Sequence, residues 1–230
     1  MNEKLVRFTV EGDRDMLFAN DRLANQLDPA SIERRKAQTA FQRDKTDETL
    51  RIFMDAEWYG HLYHDPQLGI HIPRKMINAT TLKAGKKFKK TGTRSNIAAD
   101  MATVYSPTGG SAIDLAEGLP HVEAKDVAVL CQNPGYRLQC LASVNGSKVL
   151  KARPLIPRGW RAVLEFSVAE DAESVVPFDQ FIEVVTRMGR GGFGDWRPTS
   201  PTPGEYGTFV IKKVEKSLDG EKWTNIKFNE

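Results

Sequence analysis

The chain has 230 residues, of which 40% are hydrophobic and 27% are charged, and its formal net charge at pH 7 is +3. These values are ordinary for a soluble globular protein, and no apolar run approaches the roughly 18 residues that a membrane-spanning helix needs. The charged, alternating residues 1–10 are unlike a signal peptide. We therefore expect a cytoplasmic protein that has no membrane partner.

The chain has two cysteines, Cys131 and Cys140. In a reducing compartment we expect both to be free thiols. Two cysteines without clustered partners do not form a zinc site. The sequence gives no reason to expect a metal or a cofactor.

The N-terminal third predicts a strand followed by helical segments. Residues 4–10 alternate and predict a strand, while the polar residues 20–48 predict an exposed helix, a mobile arm or both. From Asp47 onward, apolar residues recur at intervals of three and four and predict a helix that Gly60 ends. These apolar residues are Leu50, Phe53, Met54 and Trp58.

The middle of the chain predicts short strands around one helix. Residues 69–73 predict a strand that leads into a helix with Pro73 in its first turn. An Asn145-Gly146 pair predicts a hairpin turn. The remaining strand predictions are residues 101–105, 127–131, 138–144 and 148–152.

The last third predicts a strand at 160–168, an amphipathic helix at 177–188 closed by Gly189, and a strand at 207–214. A strand, a helix, a glycine-rich loop and a strand form half of a ferredoxin-like unit, and the N-terminal strand and helix can supply the other half. We therefore predict one α+β domain over residues 1–230. It has a ferredoxin-like (RRM-like) core, an antiparallel sheet and long insertions, with residues 20–48 as an exposed arm or insertion.

Residues 189–194 match the pattern G-x-G-x-x-G but follow a helix rather than a strand, which excludes a dinucleotide-binding turn. Two interpretations stay open. The loop could let its backbone approach a phosphate or a base, because glycine has no Cβ, or it could be a tight connection that needs positive φ. The candidate binding residues of this segment are Gly189, Arg190, Gly191, Gly192, Gly194 and Arg197.

Basic residues fall into two clusters. Residues 83–94 hold five lysines and one arginine, namely Lys83, Lys86, Lys87, Lys89, Lys90 and Arg94. Such a density of positive charge would serve binding if these side chains neutralise phosphates and so release the counterions of a nucleic acid. The alternative is a solvated helix end that interacts with the helix dipole.

The second cluster interleaves basic residues with prolines and a tryptophan. Arginine beside an exposed aromatic ring suits the stacking of single-stranded bases. The alternative is that Trp160 is a core residue and that the arginines pair with acids. The candidate binding residues here are Lys151, Arg153, Arg158 and Trp160.

Three histidines, His61, His64 and His71, lie near several carboxylates in the sequence. They lack the H-E-x-x-H spacing, so we predict no metal site. They are the candidates for general acid–base cleavage of RNA, although no partner with a fixed role is visible beside them.

Four of these segments together, residues 69–73, 153–160, 189–198 and 204–209, resemble a group of phage-encoded proteins. That group is similar to the RAMP (repeat-associated mysterious protein) superfamily, particularly the backbone subunits that coat guide RNA in CRISPR effector complexes. The resemblance covers roughly residues 45–215. It implies a modified ferredoxin-like core that binds single-stranded RNA or DNA in a basic groove, often with head-to-tail assembly, and a glycine-rich loop that lies against the nucleic acid.

The leading hypothesis is a non-catalytic single-stranded nucleic-acid-binding protein of a phage or prophage, which would act in the host cytoplasm and assemble on RNA or DNA. Two alternatives stay open. One is a metal-independent RAMP-type endoribonuclease. The other is an interaction protein that mimics a RAMP subunit and so inhibits a host defence.

Overall fold

The computed structural model describes residues 4–90, 92–115, 127–144, 147–201 and 203–228. The strands are β1 (Lys4–Gly12), β2 (Met16–Leu17), β3 (His64–Asp65), β4 (Gly69–Ile72), β5 (Tyr105–Pro107), β6 (Ser111–Asp114), β7 (Arg137–Val144), β8 (Ser147–Ile156), β9 (Arg161–Val168), β10 (Phe209–Ser217) and β11 (Thr224–Ile226). The helices are α1 (Pro29–Arg43), α2 (Asp47–His61), α3 (Arg74–Gly85), α4 (Ala98–Val104), α5 (Val127–Gln132), α6 (Ala172–Val175) and α7 (Phe178–Gly191).

The main sheet is antiparallel throughout and has the strand order β11-β10-β1-β9-β6-β4-β3, with β5 also paired to β9. Strand β1 lies inside this sheet because its alternate residues Val6, Phe8 and Val10 are apolar and fully buried. Helices and an antiparallel sheet in one chain confirm the predicted α+β class.

Helix α7 covers the buried face of the main sheet. Phe181 packs edge-on against Phe8 and Phe166, with ring centroids 5.4 and 5.1 Å away. The opposite face is polar, and most of its charges pair between neighbouring strands. Arg7 is 2.5 Å from Glu165, and Arg161 and Lys212 both pair with Glu11. Lys213 pairs with Glu215 on the same strand, β10.

A second sheet, β2-β8-β7, packs against α2, and α1 packs in turn on α2. Helix α1 begins at an Asp28 cap, whose side chain accepts a hydrogen bond from the Ala30 N–H. Ala37 is buried, and Phe41 stacks on Phe53 with ring centroids 6.2 Å apart. Of the two alternatives for residues 20–48, the helix is therefore confirmed, and it is anchored to α2 along its length.

Several predicted elements are confirmed with small shifts. Helix α2 buries Phe53, Met54 and Trp58 as expected. Strand β4 leads into α3, although Pro73 is the residue before the helix rather than part of its first turn. Strands β7 and β8 pair with Val144 opposite Ser147, while the Asn145-Gly146 pair itself lies outside the described residues.

Two predicted strands are helices. Residues 101–105 fall mostly in α4, where Ile97, Met101 and Val104 are buried at helical spacings of four and three. Residues 127–131 fall in α5, which buries Leu130 and Cys131. A short apolar run fits a strand and a buried helix equally well, and here the spacing of the core contacts decided for the helix.

The prediction that Gly189 ends α7 is also wrong, because the helix continues to Gly191. A Cβ on Gly189 would lie 2.2 Å from the Phe209 carbonyl oxygen, so this glycine permits close packing of α7 on β10. The turn that ends the helix is made by Gly192, which has φ of 72°. Among the described helices, no segment is both long enough and apolar enough to cross a bilayer.

Candidate nucleic-acid interface

Two helices and the loop after α7 bring cations together on one surface. Helix α3 and the residues just after it contribute Lys83 and Lys87, while α7 contributes Arg187 and Arg190. Arg197 follows in the loop. We call these five residues the basic patch. Helices α3 and α7 pack against each other, and a notch of about 50 Å³ between them is lined by Lys83, Lys87 and Arg187.

The basic patch lacks acidic compensation. The pKa of Lys83 is lowered, first by partial desolvation and then by the positive charges of Arg197 and Lys87, with no carboxylate opposing them. Lys83 donates instead to the Thr199 carbonyl oxygen. Within the described part of the chain, none of the five cations forms an ion pair with a carboxylate. An anion in the notch would therefore relieve repulsion that the protein itself leaves in place.

The other lysines of the first cluster extend from the end of α3. Lys86, Lys89 and Arg94 are exposed, and Lys90 is 2.5 Å from Asp100. A β-bridge between Lys89 and Asn96 folds this segment back on itself. These residues continue the positive surface from Lys87.

The second predicted cluster does not converge on the basic patch. Lys151 and Arg153 lie on β8 with side chains only 15% and 16% exposed, and they face acids. The fully buried Glu57 accepts from Arg34 at 2.5 Å and from Lys151 at 3.2 Å. We call the whole set the charged cluster; it contains Arg34, Glu57, His61, Lys151, Arg153 and Asp195.

The charged cluster holds Glu57 ionised and His61 neutral. Burial raises the pKa of Glu57, but the hydrogen bond with His61 and the charges of Lys151 and Arg34 outweigh burial and lower that pKa to about 2. Arg153 donates to His61 Nδ1 at 3.0 Å, which places the imidazole proton on Nε2, 3.3 Å from Glu57. Burial lowers the pKa of His61, and the positive charge of Arg153 lowers it further. The interaction with Glu57 raises this pKa but does not outweigh the other two effects.

The charged cluster ties three parts of the fold together. Arg34 belongs to α1, Glu57 and His61 to α2, and Lys151 and Arg153 to β8. Arg153 then reaches Asp195 in the glycine-rich loop at 3.5 Å. Of the two interpretations of the second cluster, pairing with acids therefore describes Lys151 and Arg153.

The prediction that Trp160 lines a groove is wrong. Its side chain is fully buried, and its Nε1 donates to the Arg14 carbonyl oxygen at 3.1 Å. Gly12 makes room for the ring, because a Cβ there would lie 2.0 Å from Trp160 Nε1. Arg158 lines a separate cavity of about 220 Å³ with Arg14, Asp15 and Glu205, where Asp15 accepts a hydrogen bond from the Arg158 backbone N–H.

The glycines of the loop face protein rather than solvent. Gly189 and Gly191 lie in α7, while Gly192 and Gly194 have φ of 72° and 78°. A Cβ on Gly194 would lie 2.1 Å from the Leu17 carbonyl oxygen, and one on Gly192 would lie 2.8 Å from that of Tyr206. The space left by the missing side chains is filled by the protein's own backbone. The geometry thus supports the tight-connection interpretation. In this segment Arg190 is exposed, while Arg197 is half-buried and donates to the Gly194 carbonyl oxygen.

The three histidines do not form one site. His61 is enclosed in the charged cluster. His64 is exposed on the β3–β4 hairpin, and His71 is half-buried with Nδ1 3.2 Å from the Gly69 carbonyl oxygen. Partial burial and then the charge of His71 lower the pKa of His64. Across the described ranges, no group of three or more metal-ligating side chains could hold an ion.

Sequence reasoning missed two features of this surface. Arg187 lies in the middle of α7, and its exposure follows from the helical spacing of the buried Val184, Val185 and Met188. Trp196 and Tyr206 are both half-exposed in the loop, with ring centroids 6.5 Å apart.

A scan against protein-family models and a search of curated proteins found no match to this sequence.

Proposed function

We propose that this protein binds single-stranded RNA or DNA at the basic patch without catalysing a reaction. The observation that carries the proposal is the convergence of Lys83, Lys87, Arg187 and Arg197, none of which forms an ion pair with a carboxylate among the described residues. Arg190 is exposed on α7 one turn after Arg187. Phosphates would supply the missing negative charge, and binding would release the counterions of the strand.

Single strands suit this surface better than a duplex does. The patch surrounds a small notch rather than a long ridge, and half-exposed Trp196 and Tyr206 lie in the same loop as Arg197. Aromatic side chains stack on the open faces of unpaired bases, which a duplex does not offer.

We also infer a ferredoxin-like core. The strand order β10-β1-β9-β6 supports it, because α7 lies between β9 and β10 in the chain, and α3 and α4 lie between β1 and β6.

Relationship to the RAMP superfamily, phage origin and head-to-tail assembly on a strand remain part of the same proposal, and they rest on the resemblance of the motifs. The open sheet face carries Glu11, Glu165 and Glu215 in ion pairs, which favours binding on the helical side instead.

The endoribonuclease alternative has less support. His61 is neutral, buried and fixed by Arg153 and Glu57, so it is poorly placed to exchange protons with a substrate. Only His64 and His71 remain as candidates. We expect RNA incubated with the protein in EDTA to stay intact; cleavage lost on replacing these two histidines would favour the nuclease.

The proposed function is tested with a pair of charge-reversal variants. Binding of a labelled single-stranded oligonucleotide is measured by fluorescence anisotropy for K83E/R187E and for R43E/K45E. Arg43 and Lys45 are exposed, unpaired in the described structure and remote from the patch in sequence. Each variant replaces two cations with two glutamates, so the two variants change net charge equally. We expect K83E/R187E to lose more than tenfold in affinity and the control to lose little.

Equal losses in the two variants would show that only net charge matters, and the patch would then have no specific role. A chain that binds no oligonucleotide at low salt would favour the interaction-protein alternative. Freshly purified protein with an absorbance ratio typical of bound nucleic acid would support the proposal before any variant is made.

A further inference from the structure

A groove between α7 and β10 lies directly beside the basic patch. Its volume is about 360 Å³, and it is lined by Thr186, Arg190, Phe209, Val210, Ile211, Lys212 and Phe228. The lining combines aromatic and aliphatic side chains with two cations. Arg190 lines the groove and lies one turn after Arg187, which lines the notch, so α7 contributes to both cavities.

We propose that this groove is a nucleobase pocket, which rests on the proposed function and deepens it. A nucleobase is a flat, apolar-faced group with polar edges, and small-molecule sites typically provide apolar walls with a few polar groups. Phe228 is half-buried and offers a partly accessible ring, while Val210 is 43% exposed at the rim.

The backbone of β10 adds hydrogen-bonding groups to the groove. Strand β1 covers one side of β10, but β11 pairs on the other side only with Val214, Glu215 and Lys216. No strand of the described chain pairs with residues 210–213 on that side, while the Phe209 carbonyl oxygen lies against Gly189 of α7. Backbone groups of residues 210–213 that β1 leaves unpaired could bind the edges of an unpaired base, the part that carries most recognition of single strands.

Two arginines of α7 connect the notch, where a phosphate would bind, with the groove, where a base would bind. Arg187 lines the notch, and Arg190 lines the groove. Residues three apart on a helix are neighbours, with Cβ atoms about 5–6 Å apart. A strand that crosses this edge of α7 would therefore place a phosphate in the notch and the adjoining base in the groove.

Charge and continuity favour a nucleotide over a peptide in the groove. Arg190 forms no ion pair with a carboxylate among the described residues, and Lys212 lies 3.6 Å from Glu11. An acidic peptide could pair with both cations, but it would leave the adjoining notch unfilled. A strand of nucleic acid satisfies the notch and the groove together.

The test compares a normal oligonucleotide with an abasic one of the same length, which keeps the phosphates and lacks the bases. Phe228→Ala removes the accessible ring, and Trp223→Ala is the control because Trp223 is a half-exposed aromatic that packs under Arg7. We expect Phe228→Ala to weaken binding of the normal oligonucleotide about tenfold, and to leave binding of the abasic one unchanged. Trp223→Ala should change neither.

A second variant keeps the test decisive if Phe228→Ala disturbs folding. Val210→Trp fills the groove from an exposed position, and it should weaken binding of the normal oligonucleotide alone. Equal effects on both oligonucleotides, or no effect on either, would overturn the base pocket. Binding of an acidic, apolar peptide that leaves oligonucleotide affinity unchanged would also overturn it. The proposed function would survive these outcomes as long as K83E/R187E still abolishes binding.

Discussion

Glu57 shows how one side chain organises this fold at the residue scale. It is fully buried, and its charge is balanced by Arg34 and Lys151 together with the hydrogen bond to His61. Its place on the buried face of α2 could be predicted from the sequence, because residue 57 lies three residues after Met54 and four after Phe53. The two cations that pair with it could not be predicted, since they come from distant segments.

Removing the charge of Glu57 should be costly. We expect Glu57→Gln to lower the free energy of unfolding by about 3 kcal/mol, because it leaves two partly buried cations without a counter-charge. Glu33→Gln is the matched control, since Glu33 pairs with Lys36 on the surface and should cost under about 1 kcal/mol. Urea unfolding at pH 7 measures both, and equal costs would contradict this role for Glu57.

The same residue predicts how stability depends on pH. The folded pKa of Glu57, about 2, lies below its usual value of 4.5, so its contribution is complete above that usual value and is lost as pH falls toward 2. His61 acts in the same direction: its lowered pKa means that stability falls as pH drops below its usual value of 6.5. Urea midpoints should therefore decrease between pH 6.5 and 3.

Glu57→Gln separates the two contributions. It should flatten the pH dependence below pH 4.5, where the Glu57 carboxylate of the unfolded chain becomes protonated while that of the folded protein stays ionised until about pH 2. A native protein whose urea midpoint is constant from pH 6.5 to 3 would contradict both assignments.

Some residue roles were missed although the sequence contained the clue. Trp160 shares the alternation of Ala162, Leu164 and Phe166, which are the buried residues of β9. That alternation places the ring in the core, whereas the neighbouring arginines had favoured a stacking platform. Lys151 and Arg153 share one face of β8 and meet acids from α2 and the loop, which no local pattern reveals.

At the element scale, the connection from α7 to β10 depends on close backbone contacts. Gly194 combines positive φ with a carbonyl oxygen directly where a side chain would begin. The glycine-rich composition predicted a turn, but it could not show that Leu17 and Tyr206 would fill the space. These contacts support the interpretation as a tight connection.

Gly194→Ala tests this reading of the connection. We expect it to lower the free energy of unfolding by about 3 kcal/mol or more, since strained φ and a backbone clash act together. Gly92→Ala is the control: Gly92 also has positive φ, at 73°, but nothing lies within 4 Å of the added Cβ, so about 1–2 kcal/mol is expected. Similar losses in the two variants would show that the clash is relieved.

Helix and strand assignments at this scale were most secure where a pattern was long. The amphipathic α7 and the alternating β1 were predicted closely because each buries a continuous face. The short helices α4 and α5 were predicted as strands, since segments of six or seven mostly apolar residues fit either structure. Their packing partners, rather than their own propensities, decide their form.

At the scale of the whole molecule, the α+β class and the antiparallel sheet followed from the order of patterns in the chain. The surface did not follow so directly. Of the two basic clusters, the first contributes Lys83 and Lys87 to the patch, whereas Lys151 and Arg153 of the second form ion pairs within the charged cluster. Charge density in a sequence does not distinguish these outcomes, because only tertiary packing decides whether a cation finds an acid.

The salt dependence of oligonucleotide binding tests the central claim most directly. The slope of log K against log salt falls by about 0.7 for each phosphate contact to a single strand, so K83E/R187E should reduce the wild-type slope by about 1.4. R43E/K45E should leave the slope unchanged. Wild-type binding that does not depend on salt, or a slope that both variants change equally, would contradict an anion-binding role for the basic patch.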